Sequence, residues 1–163
     1  MSKDLVFIKR ALISVSDKTG IGDLAKQLVS KKIEIVSTGG TSDFLKQNGI
    51  PVTDVSKITN FPELMDGRLK TLHPKIHGGI LAVRDNQNHV SSMHEYGIPE
   101  IDLLVVNLYP FELIMRKQES SSKIIENIDI GGPAMIRAAA KNYKFVSVLV
   151  DQQDYEMFLN ELE

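Results

Sequence analysis

Strand-length apolar runs alternating with helically spaced segments make this an α/β sequence, organised around a central, mainly parallel sheet flanked by helices. Two observations carry that expectation. Mostly apolar runs recur at 11–15, 33–36, 101–106 and 145–150, each bounded by turn residues, and they read as strands buried on both faces. Between them lie segments whose apolar residues repeat with helical spacing, so strand and helix alternate along the chain.

Taken in order, the first run ends in Ser14-Val15-Ser16-Asp17-Lys18-Thr19-Gly20 and passes into a helix marked by Ile21, Leu24, Ala25 and Leu28. The second ends in Ser37-Thr38-Gly39-Gly40-Thr41, with Phe44 and Leu45 on the helix that follows. Residues 56–86 break the alternation with glycines, prolines and charges, and read as a long working loop holding short elements. After the strand at 101–106, residues 110–127 read as a helix with a serine-rich interruption at 120–122. Met135, Ile136 and Ala139 mark the next helix. A last strand at 145–150 leads to a helix over 151–163 with Tyr155, Phe158, Leu159 and Leu162 on one face. That helix stops without a glycine or proline terminator, which suggests a cut chain. No internal repeat is present.

The 163 residues, 42% hydrophobic and 25% charged, suffice for one globular domain spanning 1–163. The 19 Lys and Arg nearly balance the 21 Asp and Glu, so no global field favours nucleic acid or a membrane surface, and any phosphate affinity is local. With no cysteine, disulfides, thiolate metal sites and a cysteine nucleophile are excluded. The apolar run at 5–8 is too short for a signal-peptide core or a membrane span, and a cytoplasmic protein is expected.

Ligands in open α/β sheets bind at the carboxyl ends of the strands. At the first such end, Ser16, Lys18 and Thr19 supply donors and a cation beside a helix start that suits phosphate; alternatively Ser16 or Asp17 only caps the helix. A P-loop is excluded because Asp17 precedes Lys18 and Leu12 fills the upstream glycine position. The D-K-T-G run is also that of cation-pumping ATPases, but Ile21 stands where they continue with Thr, and they need membrane spans. At the second end, Ser37, Thr38 and Gly39 form a candidate second phosphate cradle, or a turn whose glycines serve geometry alone.

Residues 66–79 gather Arg68, Lys70, Lys75, His73, His77 and Thr71 in one polar loop. The two histidines are four apart, yet Pro74 argues against an uninterrupted helix and no third ligand is adjacent, so no metal is expected. The cations alternatively form a solvated run. His89 and His94 read as surface residues. Asn107 and Tyr109 follow the 101–106 strand, the tyrosine as a proton-transfer group or as a member of an aromatic cluster with Pro110 and Phe111. Asp129 precedes Gly131, Gly132 and Pro133 at a helix start, as a reacting carboxylate or a helix-terminus residue. Lys141 lies eight residues beyond Pro133, roughly 12 Å along the helix, and is either a further cation or solvent-facing.

The blocks SVSDKTG, STGGT, GRLKTLHPKIHGG, NLYPFE and IENIDIGGPAMIRAAAKN, in this order, resemble the inosine-monophosphate cyclohydrolase half of the bifunctional enzyme of purine biosynthesis. The other half of that enzyme is the aminoimidazole-carboxamide ribonucleotide formyltransferase. The resemblance runs from about Ala11 to the chain end. It implies a methylglyoxal-synthase-like three-layer sandwich, and closure of 5-formamidoimidazole-4-carboxamide ribonucleotide to inosine monophosphate with loss of water, without a cofactor. It implies that Ser16, Lys18, Thr19, Ser37, Thr38, Gly39 and Arg68 hold the nucleotide and its phosphate. Lys70, Thr71, Asn107, Tyr109, Asp129, Gly131 and Lys141 would surround the reacting atoms, with Lys70, Tyr109, Asp129 and Lys141 as catalytic groups. The formyltransferase half has no counterpart in these residues, so a truncated or stand-alone cyclohydrolase is expected, working as a homodimer at least in the full-length enzyme. A methylglyoxal synthase or a regulatory nucleotide-binding domain of the same fold are the alternatives.

Overall fold

The structure is a computed structural model that describes residues 7–117 and 119–162. Leu5 and Val6 of the opening apolar run, Gln118 within 110–127, and the terminal Glu163 lie outside the described residues.

Five strands form one all-parallel sheet: β1 (Arg10–Val15), β2 (Glu34–Ser37), β3 (Thr53–Asp54), β4 (Leu103–Asn107) and β5 (Ser147–Leu149), in the order β3-β2-β1-β4-β5. Central β1 pairs with β2 through Leu12 opposite Val36 and with β4 through Leu12 opposite Leu104. Because successive strand residues face opposite ways, β1 sends Ala11, Ile13 and Val15 into one core layer and Leu12 into the other. Burying both faces is what turns these segments into uninterrupted apolar runs. Each fully buried leucine among them contributes about 1.5–3 kcal/mol.

Helices cover both faces. On the first lie α1 (Ile21–Ser30), α2 (Gly39–Gln47) and the C-terminal helix. On the second lie α3 (Val55–Thr59), α4 (Pro74–Leu81) and the helix that carries Met135. After α5 (Gln87–Tyr96), the segment at 110–127 divides into α6 (Phe111–Arg116) and α7 (Ser121–Glu126), followed by α8 (Gly131–Lys141) and α9 (Tyr155–Glu161). Tyr155, Phe158, Leu159 and Leu162 pack on the first core, as their spacing predicts. No helix among the described residues is long and apolar enough to cross a membrane.

The 56–86 region departs from a plain loop. Pro74 occupies the first turn of α4, where its missing N–H has no intrahelical partner to lose, and His73 Nδ1 caps the same turn by accepting from the Lys75 N–H at 3.1 Å. The proline therefore starts a helix that the sequence reading had it interrupt. At the amino ends of the strands, buried Asp102 accepts from the backbone of Lys9 and Arg10 and from Arg84 at 2.5 Å, pinning β1 to the loop after α4. That edge is framework; the opposite one is open.

Candidate functional site

In a sheet ordered 3-2-1-4-5, the chain winds one way from β1 to β3 and the other way through β4 and β5, so the carboxyl ends of β1 and β4 frame a crevice. A cleft of about 520 Å³ opens there, lined from the β1, β2 and β4 ends, the loop before α4, and the α7–α8 segment. Its volume suits a small ligand of nucleotide size.

The loop after β1 is closed on itself. Asn107 Oδ1 accepts from the backbone N–H of Ser16 at 2.6 Å and of Asp17 at 3.0 Å, while its Nδ2 donates to Asp17 O at 2.8 Å. Asp17 Oδ1 in turn accepts from Thr19 N–H at 2.9 Å and from the Thr19 hydroxyl at 2.7 Å. Those two bonds, on an exposed group, lower the Asp17 pKa from its ordinary 3.8. Ser16 and Lys18 still line the cleft, with Lys18 Nζ folded to within 3.3 Å of Ser16 O.

The loop after β2 is arranged otherwise. Thr38 is the N-cap of α2 and makes no side-chain cap, so among the described residues the first-turn N–H groups of α2 have neither intrahelical partners nor a capping oxygen. Thr38, Gly39, Gly40 and Thr41 all line the cleft. Gly39 adopts φ +53°, and a Cβ there would sit 2.7 Å from Lys70 Nζ; Gly67, at φ +84°, would put one 2.0 Å from Lys70 Cε. Both glycines make room for one lysine.

That lysine leaves a short 3₁₀ turn, Met65–Gly67, in which Met65 (φ 55°), Asp66 (φ 53°) and Gly67 are all left-handed. Two non-glycine residues in succession there is strain of the kind that persists where surrounding structure enforces it. Lys70 ion-pairs with Glu63 at 2.7 Å. Arg68 grips Glu126 of α7 with two nitrogens, which raises the pKa of the arginine and lowers that of the carboxylate.

On the facing wall, Asp129 Oδ1 accepts from Gly132 N–H at 2.8 Å at the start of α8. One carboxylate oxygen is thereby fixed, and Oδ2 makes no hydrogen bond among the described residues. Thr71 is buried, and a Cβ on Gly131 would lie 2.7 Å from its hydroxyl, so the glycine permits that approach. Tyr109, half exposed, closes the rim.

Of the residues singled out in the sequence, Ser16, Lys18, Thr38, Gly39, Arg68, Lys70, Thr71, Asn107, Tyr109, Asp129 and Gly131 line the cleft; Thr19, Ser37 and Lys141 do not. Thr19 is exposed and turned to Asp17. Ser37 is fully buried and donates to Ile13 O at 2.7 Å, tying β2 to β1. Lys141 is the exposed last residue of α8, about 15 Å along the axis from Gly131. His73 caps α4, and His77 has a buried Nε2 without a hydrogen-bond partner among the described residues, burial lowering its pKa. Among the described residues no three His, Asp or Glu side chains gather to hold a metal. His89 and His94 are exposed on α5, as the sequence suggests, and His89 Nδ1 accepts from Val83 N–H at 3.0 Å.

Sequence reasoning passed over Glu63 and the apolar wall of Ile125, Ile128 and Ile130. The only available signal for Glu63 was a carboxylate shortly before a cluster of cations.

Residues 20–134 match the family model described as the MGS-like domain. The bifunctional purine biosynthesis protein PurH of Dinoroseobacter shibae is 61% identical over 160 residues, 98% of this chain and 30% of that protein. PurH of Bacillus cereus is 60% identical over 156 residues, 95% of this chain and again 30% of the relative. The chain therefore spans about a third of the length of these curated relatives. The crystal structure of ForH superposes with a TM-score of 0.83 at 37% identity, covering 93% of this chain and 76% of that one. With well over half of its residues inside the family model and its five parallel strands between two helical layers, the chain belongs to the MGS-like domain family.

Proposed function

We propose that this chain is an inosine-monophosphate cyclohydrolase, closing 5-formamidoimidazole-4-carboxamide ribonucleotide to inosine monophosphate with loss of water. The observation that carries this reading is the composition of the cleft. An uncapped helix N-terminus with Lys18 on the same cleft suits a phosphate, Lys70 against Gly39 offers a cation, and Asp129 on the facing wall offers a base. The identity to PurH proteins, named for purine biosynthesis, supports a purine nucleotide as the ligand.

In this mechanism the carboxamide nitrogen attacks the formyl carbon, forming the ring C–N bond, and its proton passes to Asp129 Oδ2. The Lys70 ammonium meets the negative charge developing on the formyl oxygen. The oxyanion takes a proton from Lys70, giving the carbinolamine; its hydroxyl then leaves as water with the proton held by Asp129, relayed through Tyr109 or Lys70, while the formamido N–H gives its proton to the deprotonated lysine, and the ring becomes aromatic. Lys141, at the far end of α8, is not assigned a step. Both reacting groups belong to one molecule, so anchoring its phosphate and holding its ring in attacking geometry supplies much of the rate. The chain's own residues provide every group these steps use. The same reading has the protein work in the cytoplasm on a free nucleotide, paired as a homodimer.

Incubating the chain with the formamido ribonucleotide and following inosine monophosphate tests the proposal. Turnover that survives chelation is expected. Nucleotide binding without turnover would instead make this a regulatory domain, and turnover of a triose phosphate alone would make it a methylglyoxal synthase.

A further inference from the structure

Lys70 stands on the wall between two cavities: the main cleft, and a second of about 370 Å³ lined by Ser42, Lys46, Asp54, Phe61 and Glu63. A lysine side chain has four rotatable carbons and is free to leave such a wall. Three features hold this one. Its stem and ammonium lie against the bare faces of Gly39 and Gly67, and Glu63 Oε1, itself 2.6 Å from where a Gly67 Cβ would be, binds Nζ at 2.7 Å from the second cavity. Glu63 lines only that second cavity, so it meets the lysine from behind as seen from the cleft. The Glu63 contact is an ion pair rather than a hydrogen bond, so the ammonium's three donors remain for a ligand.

We infer that Glu63 is the positioning residue for Lys70, fixing the ammonium at the height of the reacting oxygen without touching substrate. This role rests on the cyclohydrolase reading above. It predicts a chemical defect without a binding defect, since the groups assigned to the phosphate are left in place.

Steady-state cyclisation by wild type, Glu63→Gln, Glu63→Ala, Lys70→Ala and the Glu63→Ala/Lys70→Ala double variant tests it, with inosine-monophosphate affinity and Tm measured on each. Glu63→Gln keeps the shape and an accepting oxygen but no charge, and should lower kcat about tenfold with KM and product affinity unchanged. Glu63→Ala should lower kcat about 10- to 100-fold, the scale of a misplaced catalytic group. In the Lys70→Ala background the second substitution should add nothing, because its only target is gone. The role is overturned if kcat of Glu63→Gln is unchanged or raised, if KM climbs in step with the loss, or if Glu63→Ala is as damaging without Lys70 as with it. A poorly folding Glu63→Ala leaves the isosteric Glu63→Gln to decide. Wild type without turnover removes the cyclohydrolase reading and this role together; wild-type turnover with a normal Glu63→Gln removes the role alone.

Discussion

The two strand-to-helix junctions beside the cleft look alike as sequence and differ as structure. Ser16-Asp17-Lys18-Thr19 and Ser37-Thr38-Gly39-Gly40 each end a buried strand with hydroxyls and lead into a helix. At the first, Asn107 and Asp17 consume the backbone N–H groups of Ser16, Asp17 and Thr19, and none of Thr19, Gly20 or Ile21 reaches the cleft. At the second, the helix starts at the cleft wall with no side chain capping it. Neither α1 nor α2 carries a side-chain cap, so the difference is one of place: the loop donors before α1 are spent and its first turn stays outside the cleft, whereas the first turn of α2 opens on it. Lys18 is what the closed junction contributes to the open one.

The largest effect should arise on the wall that both junctions face. Asp129→Asn keeps an oxygen able to cap Gly132 N–H, so folding and affinity for inosine monophosphate should persist while kcat falls by roughly 10²- to 10⁴-fold. A parental rate would return Asp129 to helix capping alone. Next comes Gly39→Ala at the open junction, which forces a left-handed alanine and drives its Cβ into Lys70. Here kcat/KM should drop about 100-fold, the scale of a group displaced by an ångström. Normal kinetics would show that Lys70 moves freely. Lys18→Ala should act mainly on KM, raising it about 10- to 100-fold, the range of one lost charge-assisted hydrogen bond. An unchanged KM would leave the closed junction with no part in binding.

The smallest effect belongs to Asp17→Ala, which loosens the closed junction and should lower Tm slightly with kcat and KM unaltered. Asp17 has a lowered pKa in the folded chain, so its stabilisation is present above the ordinary 3.8 and fades as pH falls through the lowered folded value. The Tm gap between Asp17→Ala and wild type should therefore close in that acidic window. A gap that persists there would assign it to something other than the Asp17 charge.

Much of the fold was legible because β1 and β4 bury both faces, and nothing but an apolar run of strand length satisfies that. β3 was not, since its two residues, Thr53 and Asp54, join the sheet by backbone pairing with Val36 and Ser37 and carry no apolar signature. Most of the proposed site was legible from its blocks of glycines, cations and hydroxyls. What those blocks do not carry is direction. Ser37 reads as a donor at a strand end, but the side of the sheet it faces depends on register, which sends it to Ile13. Lys141 shares a block with Asp129, but a straight helix carries it away from the cleft. Left-handed backbone at Met65 and Asp66 has no sequence signal at all, and it aims Arg68 and Lys70. The pairing of Arg68 with Glu126, 58 positions apart, is visible only once the chain has folded.

The most direct measurement is a crystal structure of the chain with inosine monophosphate bound. The account predicts the phosphate against the first-turn N–H groups of α2, within reach of Lys18, and the six-membered ring between Asp129 and Lys70. A phosphate seated instead at Thr19 to Ile21, or a ring turned away from Asp129, would contradict it.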